Sequence, residues 1–421
     1  MMPIPLLGEA RYPSPVERTV DDDLRLPEHI VLDPRGEGSP GLTFELAGPR
    51  PRLFFDPAQT RAGIVTCGGL CPGLNDVIRS LFLELHHAYG VKEVLGYRGG
   101  YQGLGANPDE PPVVLDPAWV DSIHQHGGTV LGTSRGPVDV AVAVDGLIRR
   151  GVNVLFTIGG DGTQRGANEL MLQARSRGYP LSVVGIPKTI DNDVPFVTRT
   201  FGYLTAVEEA ARVLQRAHTE ARSVRNGVSL VKLMGRHAGF IAAGATIASQ
   251  DVNFTLVPEV PFRLEGERGF LAALHRRVLQ RKHAVIVVAE GAGQDLLAEA
   301  PTGRDASGNL RLRDIGPYLR SQIEAFFAAN STPLVMRYFD PSYFIRSSPA
   351  NAEDSILCDI FARNAAHAAM AGKTALVIGF LHGQFIHVPI NLLVSRSKRM
   401  EADGPIWRAV LSATGQPERF E

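Results

Sequence analysis

The sequence predicts an α/β fold with largely parallel sheets, and two observations support this. From Arg61 onward, short apolar or β-branched runs recur, and each ends in glycine or in a polar turn. Between them lie stretches whose apolar residues follow helical spacing, such as residues 75–89 and 205–223. Apolar runs of this length are typical of strands buried on both faces, and their alternation with helices is typical of parallel sheets. The predicted strands are residues 63–66, 154–158, 181–186, 228–233, 254–257, 284–289 and 375–378.

The first sixty residues differ from the rest of the chain. They are rich in proline and charge, as in residues 12–15 and 49–52, and they lack sustained periodicity. We therefore expect an extension that wraps the main body rather than a separate domain. The whole length of 421 residues suits two or three domains, at about 150 residues each.

The composition argues against several functional classes. There are 43 Lys and Arg against 44 Asp and Glu, so the net charge is −1 and the basic excess expected of a nucleic-acid-binding protein is absent. No apolar run approaches about 18 residues, so we expect no membrane span. Residues 1–15 lack the pattern of a secretory signal. Three cysteines are too few for a disulfide scaffold, which indicates a reducing compartment, and we expect a cytoplasmic protein.

Glycine clusters follow the predicted strands, where ligands bind in parallel sheets. The first cluster, residues 67–76, places Gly68 and Gly73 at the spacing that opens a P-loop, but Leu74-Asn75 stands where that motif has Lys-Ser/Thr. The cluster suits phosphate binding, because glycines let backbone N–H groups approach an anion at the start of a helix. It also suits a simple tight turn between a strand and a helix.

The second cluster contains the run GGDGT at residues 159–163. An aspartate in a glycine turn after a strand suits Mg²⁺, which prefers carboxylate and phosphate oxygens. An Asp-Gly turn is also common in any fold. The run is more specific than such a turn, but several kinase families share it, including NAD and lipid kinases.

The third cluster, residues 185–193, carries two carboxylates two residues apart, beside a hydroxyl and a lysine. In an extended segment Thr189, Asp191 and Asp193 point to one side, so that one carboxylate can accept a proton from a substrate hydroxyl while the other positions reacting groups. Asp-Asn-Asp is also an ordinary surface loop. The functional interpretation is favoured because the motif follows an apolar strand about 25 residues after GGDGT, the length of one crossover helix.

With three later stretches, these clusters resemble the phosphofructokinase family. The stretches are KLMGR at residues 232–236, AEG at 289–291 and FDPSYFIR at 339–346, and the likeness covers roughly residues 61–382. The chain is most similar to the longer ATP-dependent branch of the family. This likeness rests on the N-terminal extension, the GTSRGP run at residues 132–137 and the DPSY-IR form of the stretch at residues 339–346. That branch is close in sequence to pyrophosphate-dependent enzymes.

The resemblance implies two Rossmann-like three-layer domains with mainly parallel sheets and an active site between them. The implied domains are a nucleotide-binding domain of residues 61–203 with about 346–405, and a sugar-phosphate domain of residues 204–345. Residues 1–60 would be the extension and 406–421 a C-terminal tail. The family assembles as homotetramers of paired dimers, so we expect a homotetramer or homodimer whose sites are completed across an interface.

The reaction implied is transfer of the γ-phosphoryl of MgATP to the 1-hydroxyl of fructose 6-phosphate, which depends on positioning and charge neutralisation. Asp191 would be the general base and Arg236 would neutralise the moving phosphoryl group. Glu290 would accept hydrogen bonds from sugar hydroxyls. The implied catalytic residues are Asp191, Arg236, Thr189, Asp193 and Lys188.

Two arginines, Arg337 and Arg346, would clamp the 6-phosphate, as guanidinium groups do well. Arg337 would come from a neighbouring subunit. The implied substrate-binding residues are Thr189, Ile190, Asp191, Met234, Gly235, Arg236, Glu290, Arg337, Tyr343, Phe344, Ile345 and Arg346. The implied ATP-binding residues are Gly68, Tyr97, Arg135, Gly136, Gly160, Asp161, Gly162 and Thr163, with Asp161 on Mg²⁺.

Two rival functions stay open at the level of sequence. Lys188 is typical of pyrophosphate-dependent enzymes, whereas Gly162 is typical of ATP users, and the longer ATP-dependent branch carries both. A catalytically inactive regulatory subunit would be expected to lose Asp191 or Arg236, and both are present. The chain also departs from the short bacterial enzymes. Gly227 stands where they have an intersubunit arginine, which Arg222 or Arg225 would have to replace, and Tyr343 replaces their histidine.

Overall fold

The structure is a computed structural model, and it describes residues 3–31, 41–106, 110–136, 138–297, 303 and 311–421. Its strands are β1 (Tyr12–Pro13), β2 (Arg25–Pro27), β3 (Thr43–Leu46), β4 (Arg52–Leu53), β5 (Arg61–Thr66), β6 (Glu93–Tyr97), β7 (Val113–Val114), β8 (Val154–Gly159), β9 (Ser182–Pro187), β10 (Gly227–Leu233), β11 (Phe254–Leu256), β12 (His283–Ala289), β13 (Val335–Phe339), β14 (Leu376–Leu381) and β15 (Gln384–Pro389). Its helices are α1 (Leu74–Leu83), α2 (Pro117–Val120), α3 (Val140–Arg149), α4 (Asp161–Ser176), α5 (Tyr203–Arg222), α6 (Phe240–Ser249), α7 (Phe270–Arg281), α8 (Ile315–Ala329), α9 (Ser342–Ile345), α10 (Ala352–Met370), α11 (Ile390–Val394) and α12 (Pro405–Thr414).

The larger sheet has the strand order β2-β3-β15-β14-β9-β8-β5-β6-β7. Its interior strands, from β14 to β6, run parallel, and β7, β15, β3 and β2 join antiparallel at the two sides. Every residue of β8 and β9 is buried, as expected for apolar strands covered on both faces. The predicted α/β class with mainly parallel strands is confirmed.

The N-terminal segment contributes strands to this sheet. β3 pairs with β15 and β2 pairs with β3. A buried charge cluster anchors the addition: Arg50 donates to Glu45 at 2.7 Å, and Lys373 lies 2.5 Å from the same carboxylate. Strands β2 and β3 thus extend the edge of the larger sheet, whereas β1 and β4 pair antiparallel in a separate two-stranded sheet. The lack of periodicity in residues 1–60 did not reveal these strands.

The smaller sheet has the order β11-β12-β10-β13 and is parallel throughout. Its core includes Phe254, Phe262, Phe270 and, from the end of the chain, Phe420. The Gln416 side chain also pairs with the backbone of Thr255, with an N–H to Oε1 distance of 2.6 Å.

The chain divides into two compact units. The first contains Met1–Thr189, Val194–Gly202 and Ser347–Ser397, and the second contains Ile190–Asp193, Tyr203–Arg346 and Lys398–Glu421. The division differs from the expected one at two places. Residues 190–193 belong to the second unit, and the C-terminal segment from Lys398 onward, including α12, belongs there as well.

Among the described residues, no helix has the length and apolar character needed to cross a bilayer.

Candidate active site

The carboxyl ends of three neighbouring strands of the first unit carry the glycine clusters. β9, β8 and β5 are adjacent in the larger sheet, so the loops after them meet at one edge. The Cys67 N–H donates to the Ile158 carbonyl at 2.9 Å, and the Lys188 N–H donates to the Gly159 carbonyl at 3.1 Å. Backbone hydrogen bonds thus continue from the sheet into the loops.

Lys188 lies against the first glycine loop. Its side chain is buried, and Nζ donates to the Gly69 carbonyl at 2.7 Å. A Cβ atom on Gly68 would lie 3.6 Å from this ammonium, and Gly68 itself has a φ of +85°. The loop therefore presents bare main chain beside a fixed positive charge, an arrangement suited to an anion.

A second loop, residues 129–136, is held on the first. The Thr66 hydroxyl donates to the Gly132 carbonyl at 2.7 Å, and the Thr133 hydroxyl donates to the Gly68 carbonyl at 2.8 Å. Arg135 and Gly136 are exposed near the end of this loop. The loop therefore brings Arg135 to the same edge of the larger sheet as Gly68.

The GGDGT run forms the start of α4. Gly160 is the N-cap, Asp161 and Gly162 are exposed in the first turn, and Thr163 is buried with its carbonyl accepting from the Tyr101 hydroxyl at 2.6 Å. The free N–H groups of a first helical turn favour a phosphate. A Cβ atom on Gly162 would meet only Arg165 Nη2, at 3.9 Å.

The carboxylate of Asp161 fits a magnesium ion that is shared with a nucleotide. No group of three or more His, Cys, Asp or Glu side chains in the described ranges could hold a metal without another ligand. Mg²⁺ in nucleotide-using enzymes is bound by one or two carboxylates together with substrate phosphates. A single exposed aspartate at an anion-binding helix start meets that requirement.

The third cluster crosses from the first unit into the second. Thr189 is the last residue before the crossing, and its carbonyl accepts from the Thr200 hydroxyl at 2.7 Å. Beyond it, Ile190 and Asn192 are buried, whereas Asp191 and Asp193 are partly exposed. Exposure thus alternates, but Asn192 has a φ of +55°, in the left-handed region, so the backbone between Asp191 and Asp193 is not extended as the sequence predicted.

In the second unit, the loops after β10 and β12 are joined by backbone hydrogen bonds. The Glu290 N–H donates to the Leu233 carbonyl at 2.9 Å, and the Gly291 N–H donates to the Gly235 carbonyl at 3.1 Å. Gly235 has a φ of +131°, and a Cβ atom there would lie 2.7 Å from the Ala238 carbonyl oxygen. Only glycine satisfies both conditions, so the loop that carries Arg236 is fixed in shape.

Glu290 lies in a field of mixed charge. Burial raises the pKa of its carboxyl group, while Arg236, Lys232 and Arg346 favour the ionised form and Asp340 opposes it. Lys232 itself bridges two carboxylates, 3.0 Å from Asp314 and 2.8 Å from Asp340. The arrangement places an acceptor among cations, which is the chemistry needed to bind a hydroxylated and phosphorylated ligand.

The family model for phosphofructokinases matches residues 61–369, nearly three quarters of the chain. The chain belongs to the phosphofructokinase family. Its relatives include the ATP-dependent 6-phosphofructokinase of Borreliella burgdorferi, 47% identical over 91% of this chain and 87% of the relative. Another is ATP-dependent 6-phosphofructokinase 1 of Arabidopsis thaliana, 45% identical over 99% of this chain and 87% of the relative. A third, the ATP-dependent 6-phosphofructokinase of Amycolatopsis methanolica, is 46% identical over 99% of this chain and 95% of the relative.

Solved structures of the family share the fold. The pyrophosphate-dependent phosphofructokinase from Marinobacter aquaeolei has a TM-score of 0.69 at 21% identity and covers 86% of this chain and 93% of its own. The phosphofructokinase of Saccharomyces cerevisiae has a TM-score of 0.65 at 22% identity and covers 84% of this chain and 47% of its own. At this identity the likeness concerns the fold alone. It confirms the predicted phosphofructokinase fold.

The four residues at the end of the FDPSYFIR stretch, all expected to bind substrate, differ in their exposure. Ile345 is fully buried, so its side chain packs in the core. Tyr343 and Phe344 are 73% and 77% exposed. The Arg346 guanidinium stacks over the Tyr343 ring at 4.7 Å and is one of the charges that act on Glu290.

Two other residues that were expected to bind ligands, Tyr97 and Arg337, lie on strands. Tyr97 is 2% exposed, its ring packs over Gly63, and burial raises the pKa of its hydroxyl to about 12. Its ring therefore belongs to the core, which leaves only its main chain for a nucleotide. Arg337 is exposed on β13, with Nε 3.8 Å from Glu220 on α5.

Lys398 and Glu259 also contact these loops, and no sequence motif pointed to either residue. The Lys398 N–H donates to the Asp193 carbonyl at 3.1 Å, and Glu259 accepts from the Gly239 N–H at 2.9 Å. Neither residue lies in a motif of the sequence analysis, and Lys398 follows Asp193 by about two hundred positions. A contact of that range leaves no local pattern that could have identified it.

Proposed function

We propose that this chain is an ATP-dependent 6-phosphofructokinase, which transfers the γ-phosphoryl of MgATP to the 1-hydroxyl of fructose 6-phosphate. The product is fructose 1,6-bisphosphate, and the reaction belongs to glycolysis. The observation that carries the proposal is near full-length similarity, at 45% to 47% identity, to proteins named as ATP-dependent 6-phosphofructokinases. The loops described above supply the groups that the reaction needs.

On the acceptor side, Asp191 is the general base that takes the proton of the 1-hydroxyl, and Asp193 and Thr189 position the reacting groups. Arg236 neutralises charge on the phosphoryl group during transfer. Glu290 accepts hydrogen bonds from sugar hydroxyls, which its location among cations supports.

The sugar phosphate lies in the second unit, between the two loops joined through Gly235 and Gly291. Met234 and Gly235 shape the sugar pocket. Arg346 binds the 6-phosphate, and Arg337 does so from a neighbouring subunit of a homotetramer or homodimer. The exposure of Arg337, whose guanidinium faces Glu220 on α5, supports a role outside its own chain's site.

On the donor side, the nucleotide phosphates lie along Gly68, Arg135 and the start of α4. Asp161 would hold Mg²⁺, which supplies charge neutralisation on the phosphate oxygens. Lys188 adds a fixed positive charge at the same edge of the sheet. The open volume at Gly162 leaves room for a nucleotide phosphate, and this favours ATP over pyrophosphate as the donor.

A cytoplasmic location is also proposed. Cys67, Cys71 and Cys358 are all buried and unpaired as disulfides, which suits a reducing compartment.

A coupled assay with fructose 6-phosphate, run separately with ATP and with pyrophosphate, tests the proposal. We expect turnover with MgATP and little or none with pyrophosphate. Faster turnover with pyrophosphate would reverse the donor assignment, and turnover with neither donor would support a regulatory subunit.

A further inference from the structure

The segment Lys398–Met400, here called the 398–400 strap, ties together two loops of the second unit. The Lys398 N–H donates to the Asp193 carbonyl at 3.1 Å. The Met400 N–H donates to Glu259 Oε1 at 3.0 Å. Both oxygens of that carboxylate also accept from the Gly239 N–H, at 2.9 and 3.1 Å. Gly239 is the N-cap of α6 and lies three residues after Arg236, so the strap joins the Asp191–Asp193 loop to the Arg236 loop.

The Lys398 side chain turns into the same region. Its Nζ lies 5.1 Å from the ring centroid of Phe240, the first residue of α6. Burial lowers the pKa of Lys398 to about 8, and Asp193 is the group that favours its charged form. An ammonium placed where burial opposes its charge is unfavourable for folding, and such groups concentrate at functional sites.

The charges around Asp193 show what the lysine can do. His237, Arg236 and Arg399 lie nearby, since Arg236 and Arg399 lower the pKa of His237 after the larger effect of burial, and Asp193 raises it. Asp193 is thus an anion with several cations of the second unit close by. Lys398 is the cation that is also joined to it through the main chain.

We propose that Lys398 is a positioning residue for phosphoryl transfer, whose ammonium and backbone N–H together hold Asp193 and thereby orient Asp191 toward the sugar hydroxyl. The inference rests on the catalytic role proposed for the Asp191–Asp193 loop. A general base acts only from within hydrogen-bond reach of its proton, and a shift of about 1 Å costs on the order of a hundredfold in rate. Two other roles are distinct from this one: a purely structural anchor and a direct contact with the sugar phosphate.

Kinetics of Lys398→Met separate these three roles. We expect kcat to fall roughly 10–10²-fold with KM for fructose 6-phosphate within about twofold, because orientation acts on the transition state more than on binding. Lys398→Arg, which keeps the positive charge, is expected to recover most of the rate. A rise in KM with unchanged kcat would instead assign Lys398 to the sugar phosphate and overturn the proposal.

Thermal unfolding of the same variants supplies the second readout. Because the buried ammonium opposes folding, Lys398→Met is expected to unfold at the wild-type temperature or above it. A lower Tm together with no recovery in Lys398→Arg would mean that Lys398 is a structural anchor, against the proposal. Arg396→Met is the matched control. Arg396 lies just before the strap and, like Lys398, is a cation close to an aromatic ring, with its guanidinium carbon 5.2 Å from the centre of the Phe196 ring. Its loss should leave kcat unchanged.

A double-mutant cycle with Asp191→Ser distinguishes failure of this inference from failure of the underlying mechanism. Asp191→Ser alone should lower kcat by roughly 10²–10⁴-fold with little change in KM for the sugar. If Lys398 acts through the base, adding Lys398→Met to that variant should change kcat little further. Full additivity of the two losses would overturn the positioning role, whereas near-normal kcat in Asp191→Ser would remove the proposed base itself.

Discussion

Gly162 is the residue on which the proposed choice of ATP as donor depends. It occupies the first turn of α4 and is exposed, and a Cβ atom there would meet nothing closer than 3.9 Å. Its backbone is not in the left-handed region, so other residues fit without strain. The fold therefore does not require glycine here, which agrees with the proposal that a nucleotide phosphate passes this position.

We expect Gly162→Asp to weaken ATP binding severely, because a carboxylate would add bulk and like-charge repulsion beside the nucleotide phosphates. Its Tm should match or exceed that of the wild type, since an acidic residue in a first helical turn is favourable. KM for ATP and thermal unfolding are the measurements, with Gly162→Ala as the uncharged control. Retained ATP affinity would refute the donor assignment, and weak turnover of pyrophosphate by the variant would extend it.

Arg346 is the cation of the FDPSYFIR stretch that acts on Glu290, and Asp340 of the same stretch acts in the opposite sense. Arg346→Ala should mainly raise KM for fructose 6-phosphate, because a phosphate contact is the same in the ground and transition states. Initial rates at varied sugar and varied ATP test this. A change confined to KM for ATP would show that Arg346 lies in the wrong site.

At the scale of elements, α10 carries a buried histidine between cations. The Tyr89 hydroxyl lies 2.7 Å from His367 Nδ1, and Glu84 lies 3.7 Å from Nε2. Burial, helped by the nearby charges of Arg363 and Arg50, lowers the pKa of His367 from 6.5 to about 4. The ring is therefore neutral in the folded protein at neutral pH.

This predicts acid sensitivity with a defined window. Between pH 6.5 and about 4 the unfolded chain binds a proton at His367 that the folded chain does not, so stability falls as the pH falls through that range. The loss is on the order of 1–3 kcal/mol. His367→Gln should flatten the dependence of Tm on pH there, whereas exposed His87→Gln should leave it unchanged. An equally steep curve in His367→Gln would assign the acid sensitivity to other groups, such as Glu45.

A second buried charge group, formed by Glu45, His387 and Lys373, links β3 to the rest of the larger sheet. Burial alone would raise the pKa of Glu45. The hydrogen bond with His387 and the Lys373 ammonium nevertheless hold that pKa well below its usual range. Such pairs contribute little net stability when intact but leave an uncompensated charge when one partner is lost. This explains how the described N-terminal segment is fixed to one position on the sheet.

At the scale of the whole molecule, Arg337 bears on assembly. It is exposed on β13, an edge strand of the smaller sheet. If it completes a neighbouring subunit's site, dilution to the monomer should abolish activity, as monitored by assay beside sedimentation. A fully active monomer would remove Arg337 from the site.

Mixing two variants with weakened sugar-phosphate binding gives a sharper form of the same test. Arg337→Ala and Arg346→Ala chains, refolded together, should regain part of the activity at low fructose 6-phosphate, because mixed oligomers contain some sites with both arginines. Mixtures whose activity at low fructose 6-phosphate stays as weak as that of the separate variants would place the two arginines on the same chain's site.

Much of this architecture is encoded locally. Apolar runs predicted the buried parallel strands, because burial on both faces requires continuous apolar sequence. The glycine clusters indicated which strand ends meet ligands, and the structure brings the first two and Lys188 to one edge of the sheet.

Other features depend on the tertiary structure alone. Three of them could not be predicted from the sequence. They are the burial of Ile345 within a motif, the packing of the Tyr97 ring over Gly63 and the contact of the strap at Lys398 with Asp193. The sequence by itself determined the fold class, the family and the loops that carry the chemistry, because these depend on short runs of neighbouring residues. Only the tertiary structure decided which side chains of the motifs are buried and which distant residue meets Asp193, because such contacts form between segments whose spacing along the chain carries no periodic signal.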